Sequence, residues 1–204
     1  DLAQKFESGR PKNPRLQIIT TNFRESSVKG VITKAPKIYT WLEPMITVNL
    51  KRFWPTLAEI IVTDPTSLDA GKIGAILSEH VDMTEWHPRV HSRAEEIHFA
   101  SRMIALGWVR VARLDGAVIG FLARDRHDIV ALYIHSGAQR QGVGKTLMLD
   151  AKQSKAHLTA WSYAKNIQAQ NFYQSEGFTE DHRTDGCQND LKLPDIKYTW
   201  NHNT

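Results

Sequence analysis

Cysteine is almost missing from this chain, because Cys187 is the single one among 204 residues. One cysteine excludes a disulfide within the chain and any zinc site built from several thiolates. No apolar run approaches the roughly 18 residues of a transmembrane helix, and the sequence contains neither an internal repeat nor a low-complexity tract. We therefore expect a cytoplasmic protein in a reducing compartment, without a membrane segment.

Positive charge is concentrated in the first quarter of the chain. Residues 1–54 hold 10 Lys and Arg against 4 Asp and Glu, a net of +6, whereas residues 55–204 hold 16 against 18, a net of −2. A basic segment of this kind is typical of a nucleic-acid-binding arm or of a flexible or loosely docked extension, and the composition favours the extension. We predict a basic N-terminal extension over residues 1–57 and one compact domain over residues 58–201.

Hydrophobic periodicity in that domain predicts elements in the order β-α-α-β-β-β-α-β-α-β-β. The first helix is predicted to bury Leu68, Ile73, Ile76 and Leu77. Ser92 and Glu95 form the capping pattern that begins the second helix, and Asp115-Gly116 is typical of a hairpin turn. The run 128–134 is apolar almost throughout, as a central strand covered on both faces would be.

A glycine-bearing turn follows this central strand and opens a helix, with the sequence Gln139-Arg140-Gln141-Gly142-Val143-Gly144. The first four N–H groups of a helix have no partner within the helix, and the helix dipole adds partial positive charge there. Glycine at positions 142 and 144 leaves room for a ligand to approach the backbone. The turn therefore predicts a binding site for phosphate or pyrophosphate.

The segment Gly142-Val143-Gly144-Lys145-Thr146 also resembles the end of a nucleotide-binding P-loop. That motif requires a glycine at position 139, where this chain has Gln139. It also requires a later strand that ends in an acidic residue for magnesium, and the strand predicted over 157–162 does not provide one. A P-loop-like nucleotide-binding protein is therefore the least favoured reading.

The pattern of Gln139, Gly142 and Gly144 resembles the coenzyme A loop of the GNAT family of N-acetyltransferases. A second motif, Asn166-x-x-Ala169-x-x-Phe172-Tyr173-x-x-x-Gly177-Phe178, is similar to the other signature of that family and stands at the expected distance downstream. The order of elements also matches, over about residues 58–201. The resemblance implies an α/β fold with a mixed, mostly antiparallel sheet, a splayed central strand pair and helices on both faces.

The resemblance implies acetyl-CoA as the acyl donor, a primary amine of a small molecule or peptide as the acceptor, and direct attack in a ternary complex without a metal. It assigns the pantetheine arm to the backbone of Leu132, Tyr133 and Ile134, together with Asn166. It assigns the pyrophosphate to the turn, at Gln139, Arg140, Gln141, Gly142, Val143, Gly144 and Lys145. A non-catalytic acyl-CoA-binding module is the alternative, and a homodimer is one expectation for the assembly.

The resemblance places Tyr173 beside the sulfur of coenzyme A as the acid that protonates the leaving thiolate. Its alternative is a packed aromatic residue, a role that Phe172 is expected to fill better. The base is open, because Ala131 stands where many family members carry a glutamate. Candidates are Asp128, Glu85, His87 and His91, or ordered water alone. Of these, Asp128 and Glu85 are retained as catalytic predictions, and the acceptor pocket is assigned to Trp86, His87 and Trp161.

Overall fold

A computed structural model describes residues 59–202 of the protein. The predicted extension over residues 1–57 lies outside this range. The order of elements is as predicted. The strands are β1 Ile61–Thr63, β2 Val109–Leu114, β3 Ala117–Asp125, β4 Asp128–Ile134, β5 His157–Tyr163, β6 Thr179–Thr184 and β7 Asp195–Asn201. The helices are α1 Ala70–Met83, α2 Arg93–Ala105, α3 Val143–Gln153 and α4 Ile167–Ser175, with 3-10 turns at Ser67–Asp69 and Ser136–Ala138.

The strands form one sheet in the order β1-β2-β3-β4-β5-β7-β6. Every neighbouring pair is antiparallel except β4 and β5, which run parallel. The crossover between these two strands is made by α3, as parallel neighbours require. The expected mixed, mostly antiparallel sheet is therefore confirmed.

The central strands β4 and β5 pair only at their beginnings. The register joins Asp128 to Thr159 and Ile129 to Ala160, and the pairing between the two strands ends there. In contrast, β5 pairs with β7 along its whole length. The expected splay is thus confirmed, and a cleft opens between β4 and β5 from Val130 onward.

A β-bulge lies at the point where the two strands separate. Ala123 of β3 pairs with Ala131, whereas the next residue, Arg124, pairs with Ile129, so Val130 is the extra residue. A bulge bends its strand and breaks the alternation of side chains. Accordingly, Val130 and Ala131 both pack in the cluster beneath α1 and α2. The bulge thus coincides with the point where the pairing of β4 with β5 ends.

Helices cover both faces of the sheet, as expected. One core cluster joins α1 and α2 to the sheet, and the other joins α3 and α4 to the opposite face. The prediction for Leu68 is wrong, since this side chain is 90% exposed and lies in the 3-10 turn before α1. Helix α1 instead buries Ile73, Ile76 and Leu77. The helical spacing of these three is real, but the helix begins at Ala70, after Leu68.

Helices α1 and α2 are held close together, and this fixes the loop between them. A Cβ atom added to Gly74 would lie 2.6 Å from Cγ1 of Ile97, so only glycine permits this approach. The predicted capping box is confirmed, with the Ser92 N–H donating to Glu95 at 2.7 Å. The loop of residues 84–92 therefore begins and ends on two packed helices.

Candidate functional site

The turn between β4 and α3 is stabilised by its own side chains. Nε2 of Gln139 donates to the carbonyl of Ile134 at 3.2 Å, and Nε2 of Gln141 donates to the carbonyl of Gly137 at 2.9 Å. Nδ1 of His135 accepts from the N–H of Gly137 at 3.1 Å. Both glutamine side chains predicted to contact pyrophosphate thus hold the loop in shape, which leaves ligand contact mainly to the backbone.

The two motif glycines serve different purposes. Gly142 has a φ of +86° and caps α3, so its glycine character meets a conformational demand. A Cβ atom on Gly144 would lie 3.2 Å from Cε2 of Phe172, so this glycine lets α3 pack against α4. Gly144 therefore has a packing role that the motif did not predict, and its expected role in ligand approach stays a prediction. Arg140 has a φ of +61°, which glycine adopts at lower cost.

The start of α3 has the charge that an anion site needs. The first turn of α3 contains no acidic residue, and the exposed Lys145 lies within it. Arg140, Gln141 and Gly142 are also exposed. Backbone donors at the N-terminus of the helix, the helix dipole and two cationic side chains thus share one exposed surface.

Glu79 on α1 holds the beginning of this loop. Its carboxylate accepts from the N–H of Ser136 at 3.1 Å and from the Ser136 hydroxyl at 2.6 Å. Nε2 of His135 lies 3.9 Å from the same carboxylate. We did not predict this contact, because Glu79 and Ser136 are 57 residues apart and no motif links them.

Tyr173 on α4 belongs to the core cluster on the α3 and α4 face of the sheet and is only 1% exposed. Its ring stacks on Tyr198 at 5.4 Å and contacts Phe178 at 5.2 Å. Burial raises the pKa of its hydroxyl well above the ordinary value, with further contributions from Tyr133 and Tyr198, so the phenol stays protonated. Phe172 is only partly buried, so the expectation that Phe172 is the better packed aromatic is wrong.

Asn166 is the N-cap of α4. Its side-chain oxygen accepts from the N–H of Ala169 at 3.0 Å, and the residue is 3% exposed. The sequence predicted Asn166 as the cap of this helix, and the structure confirms it. Because Asn166 follows β5 by three positions, it fixes where α4, and with it Tyr173, begins relative to the cleft.

On the α1 and α2 face, five side chains bridge the two splayed strands. We call them the histidine–aromatic cluster; they are His80, Trp86, His87, Tyr133 and Tyr163. His80 of α1 lies 5.4 Å from the Tyr133 ring of β4, and the two imidazoles are 5.7 Å apart. Trp86 and His87 lie 5.7 and 6.1 Å from the Tyr163 ring, at the end of β5. The cluster therefore spans the cleft from β4 to β5.

Burial keeps both histidines of the cluster neutral. It lowers the pKa of His80 to about 3, with a smaller contribution from His87. Burial also lowers the pKa of His87, although the Pro88 carbonyl and the carboxylate of Glu96 act in the opposite direction. At neutral pH the cluster presents uncharged imidazoles and aromatic rings.

The sequence predicted only part of this cluster. Trp86 and His87 were assigned to the acceptor pocket and Tyr133 to the pantetheine, but His80 and Tyr163 were not singled out. In the sequence, His80 occupies an ordinary position of an amphipathic helix, and Tyr163 stands at the end of a strand. Their proximity depends on the splay of β4 from β5, which no local pattern encodes.

The other predicted catalytic and acceptor residues lie elsewhere. Asp128 is at the closed end of the strand pair, where it accepts a hydrogen bond from the Thr159 hydroxyl and its side chain is 56% exposed. Glu85 is exposed in the loop between α1 and α2. Trp161 contacts His182 of β6 at 5.4 Å. The structure therefore does not bring these three together with Tyr173.

A separate groove of about 410 Å³ opens between α1 and α2. It is lined by residues of these two helices, including Gly71, Ala75, Asp82 and Arg93. No residue of β4 or β5 contributes to its lining, so the groove is not the cleft. Within residues 59–202, no three side chains of His, Cys, Asp or Glu are grouped to hold a metal, and no helix is long and apolar enough to cross a membrane.

Comparison with known proteins agrees with this geometry. A family model described as an acetyltransferase (GNAT) domain matches residues 105–180. The peptidyl-lysine N-acetyltransferase YiaC of Escherichia coli (strain K12) is 30% identical over an alignment of 140 residues, which covers 63% of this chain and 90% of that protein. The matched region includes both the turn before α3 and the motif on α4.

Solved structures share the fold. The apo form of YjaB from Escherichia coli has a TM-score of 0.60 at 22% identity and covers 70% of this chain and 97% of its own. The yncA protein from Salmonella typhimurium, solved with its cofactor acetyl-CoA, has a TM-score of 0.56 at 18% identity, with coverages of 72% and 96%. The family model and the relative at 30% identity show that the chain belongs to the GNAT family of acetyltransferases.

Proposed function

We propose that the protein transfers the acetyl group of acetyl-CoA to a primary amine by direct attack in a ternary complex. The observation that carries this proposal is the open edge of β4 beyond Ile129, which leads directly to the anion-binding turn before α3. A pantetheine arm along that edge places its pyrophosphate at residues 139–145. The thioester then lies in the cleft, between the face that holds Tyr173 and the face that holds the histidine–aromatic cluster.

The cofactor site follows β4 beyond the end of its pairing with β5. The backbone of Leu132, Tyr133 and Ile134 runs along this edge, where the pairing with β5 has ended at Ile129, and is the stretch that we assign to the pantetheine arm. The N–H groups at the start of α3 bind the pyrophosphate, assisted by Arg140 and Lys145. We propose this assignment of residues to the cofactor, and both the geometry and the family support it.

The chemistry requires a neutral amine, stabilisation of an oxyanion and a proton for the leaving sulfur. The amine nitrogen attacks the thioester carbonyl, and collapse of the tetrahedral intermediate breaks the carbon–sulfur bond. Tyr173 gives its proton to the thiolate, a role that its raised pKa permits at neutral pH. No step in this sequence needs a metal or a covalent enzyme intermediate.

We propose a lysine side chain of a peptide, or a small-molecule amine, as the acceptor. The relative at 30% identity is a peptidyl-lysine N-acetyltransferase, which supports the peptide as the first acceptor to test. The aromatic and neutral lining of the cluster suits the apolar stem of a lysine. The cytoplasmic location and the homodimer expected from the sequence remain predictions.

Calorimetric titration with acetyl-CoA, and separately with ATP and magnesium, tests the proposal. We expect saturable binding of acetyl-CoA, which Gly142→Glu abolishes by placing a carboxylate where the pyrophosphate binds. Gly142→Ala is the matched control, since it carries the same backbone strain at a φ of +86° without the charge. Binding of ATP alone would contradict the proposal.

One observation favours a second function, an acyl-CoA-binding module without turnover. Tyr173 is fully packed against Phe178 and Tyr198, as a structural residue would be. A binder would hold acetyl-CoA yet show no formation of free coenzyme A with a panel of amines and lysine peptides. Turnover that Tyr173→Phe reduces, with binding of acetyl-CoA intact, would exclude this second function.

A further inference from the structure

Within the proposed function, the structure also points to the group that receives the proton of the acceptor. We propose that Nε2 of His87 removes the proton from the acceptor ammonium, and so generates the neutral amine that attacks the thioester. This inference rests on the proposed acetyl transfer. It assigns the base to the loop between α1 and α2, rather than to Asp128 or Glu85.

The hydrogen bonds of His87 fix which of its nitrogens can accept a proton. Nδ1 of His87 lies 3.1 Å from the carbonyl oxygen of Pro88. A carbonyl oxygen only accepts, so Nδ1 of the neutral ring carries the proton and Nε2 carries the lone pair. No group of residues 59–202 hydrogen-bonds to Nε2. The neutral imidazole is therefore held in the tautomer that a base requires.

The position of His87 is right for this role. Its ring lies edge-on to Tyr163, at 6.1 Å and 82°, and edge-on to His80, at 5.7 Å and 86°. Tyr163 ends β5, and His80 contacts Tyr133 of β4. His87 therefore contacts one residue of β5 directly and reaches β4 through His80.

The surroundings of His87 also reduce the difference in pKa between the acceptor ammonium and the imidazole, which makes the proton transfer easier. The groups that face it are His80 of α1, Tyr163 of β5, Glu96 of α2, and Trp86 and His91 of its own loop. Burial disfavours the protonated form of a lysine as it does that of a histidine. An acceptor ammonium enclosed by uncharged rings therefore becomes a stronger acid, while Glu96 supports positive charge on His87.

The protons balance as follows. The ammonium gives one proton to Nε2 of His87, and the neutral amine forms the new carbon–nitrogen bond. Tyr173 gives its proton to the sulfur as the carbon–sulfur bond breaks, and a second proton from the acylated nitrogen restores Tyr173. His87 then releases its proton to water. One proton is produced for each acetyl group transferred, as the overall reaction requires.

The alternative bases fit less well. Asp128 lies at the closed end of the strand pair and accepts a hydrogen bond from Thr159. Glu85 is exposed, so it remains in contact with water while an acceptor is bound. His91 precedes α2 and makes none of the ring contacts of the cluster, and its backbone carbonyl accepts from Arg89 at 3.2 Å. His87 alone among the four belongs to the cluster that spans the cleft.

The test compares His87→Asn with wild type on two acceptors of different basicity. Asparagine keeps a donor for the Pro88 carbonyl and removes the proton-accepting nitrogen. For a lysine peptide, which is charged at pH 7.5, we expect kcat to fall on the order of 10²- to 10⁴-fold. For an acceptor that is already neutral at pH 7.5, such as an acyl hydrazide, the loss should shrink to less than about 10-fold, since no proton must be removed before attack. Addition of imidazole should restore part of the rate with the lysine peptide.

His98→Asn is the control, because His98 is an exposed histidine of α2 outside the cluster. It should leave both rates unchanged, and both variants should bind acetyl-CoA as wild type does in calorimetry. Equal losses on the two acceptors, or unchanged kcat in His87→Asn, would overturn the assignment while the acetyl transfer stands. Failure of wild type to acetylate either acceptor would instead overturn the proposed function, and the assignment with it.

Discussion

The two sides of the cleft are built in different ways. The proposed cofactor side is a continuous turn of residues 135–145, shaped by local hydrogen bonds and by backbone conformations with positive φ. The proposed acceptor side is a cluster of five side chains from α1, the following loop, β4 and β5. A backbone site can be recognised from a short motif, whereas a side-chain site exists only after distant elements have packed.

The difference also extends to electrostatics. The cofactor side gathers helix-terminal donors, Arg140 and Lys145, and so is suited to a permanent anion. The acceptor side holds imidazoles that burial keeps neutral, and so is suited to a group that must lose its charge before it reacts. Substitutions should therefore separate the two sides, with binding of acetyl-CoA as one readout and use of the acceptor as the other.

Apart from His87, the largest expected effect concerns Tyr173, which belongs to neither side. Tyr173→Phe keeps the packing against Tyr198 and removes the proton donor. We expect kcat to fall by about 10²- to 10³-fold, with the dissociation constant of acetyl-CoA nearly unchanged, measured by steady-state kinetics and calorimetry. Tyr198→Phe removes a neighbouring buried hydroxyl and should have little effect. Equal losses in both variants would show that the hydroxyls act through packing.

The next effect is the pH dependence that His80 gives to stability. Its pKa is lowered to about 3 in the folded protein, against an ordinary value near 6.5 in the unfolded chain. Between these two pKa values the unfolded state binds more protons than the folded state. The contribution of neutral His80 to the free energy of unfolding is therefore fully present above pH 6.5, and it declines below that pH by about 1.4 kcal/mol per pH unit.

Urea denaturation at pH 7 and pH 5 measures this decline. The variant His80→Phe removes the titrating group, so its free energy of unfolding should differ less between pH 7 and pH 5 than that of wild type. His98→Phe is the control on an exposed position and should keep the slope of wild type. A slope unchanged in His80→Phe would contradict the burial of a neutral imidazole.

A smaller effect is expected for the wall of the acceptor side. Trp86→Ala removes the ring that lies 5.7 Å from Tyr163. We expect the KM of the acceptor to rise by about 10-fold while binding of acetyl-CoA is unchanged, because an aromatic contact of this size contributes on the order of 1 kcal/mol. Trp161→Ala, whose ring contacts His182 of β6, is the comparison on the same sheet. A larger loss in Trp161→Ala would place the acceptor nearer to β6.

The smallest effect should appear on the cofactor side. Glu79→Ala removes the two hydrogen bonds to Ser136, and we expect the dissociation constant of acetyl-CoA to rise by about 5-fold, since each such bond contributes roughly 1 kcal/mol or less. Glu79→Gln should fall between wild type and alanine, because the amide oxygen still accepts. Tighter binding in Glu79→Ala would show instead that the carboxylate repels the pyrophosphate.

Much of the fold was predictable because its signals are local. The capping box of Ser92 and Glu95, the hairpin turn at Asp115-Gly116 and the Asn166 cap each depend on neighbours within a few positions. The splay was inferred from the family resemblance and is present. Leu68 was misassigned because helical spacing alone does not say at which residue a helix begins.

The site was predictable only where it depends on the backbone. The turn before α3 and its helix start were predicted from the glycines, whereas the packing of Gly144 against Phe172 was not. The contact between Glu79 and Ser136, and the approach of Tyr163 to Trp86, join residues far apart in the chain. Neither has a sequence signal, because each results from how helix α1 and the splayed strands pack.

Glu79 and His80 are consecutive on α1, yet one contacts the cofactor loop and the other the acceptor cluster. One residue added or removed between Gly74 and Glu79 would turn the remainder of the helix by about 100°. Both contacts would then be lost together, while the hydrophobic composition of the helix stayed nearly the same. This segment of α1 should therefore tolerate substitutions that keep its length, but not insertions or deletions.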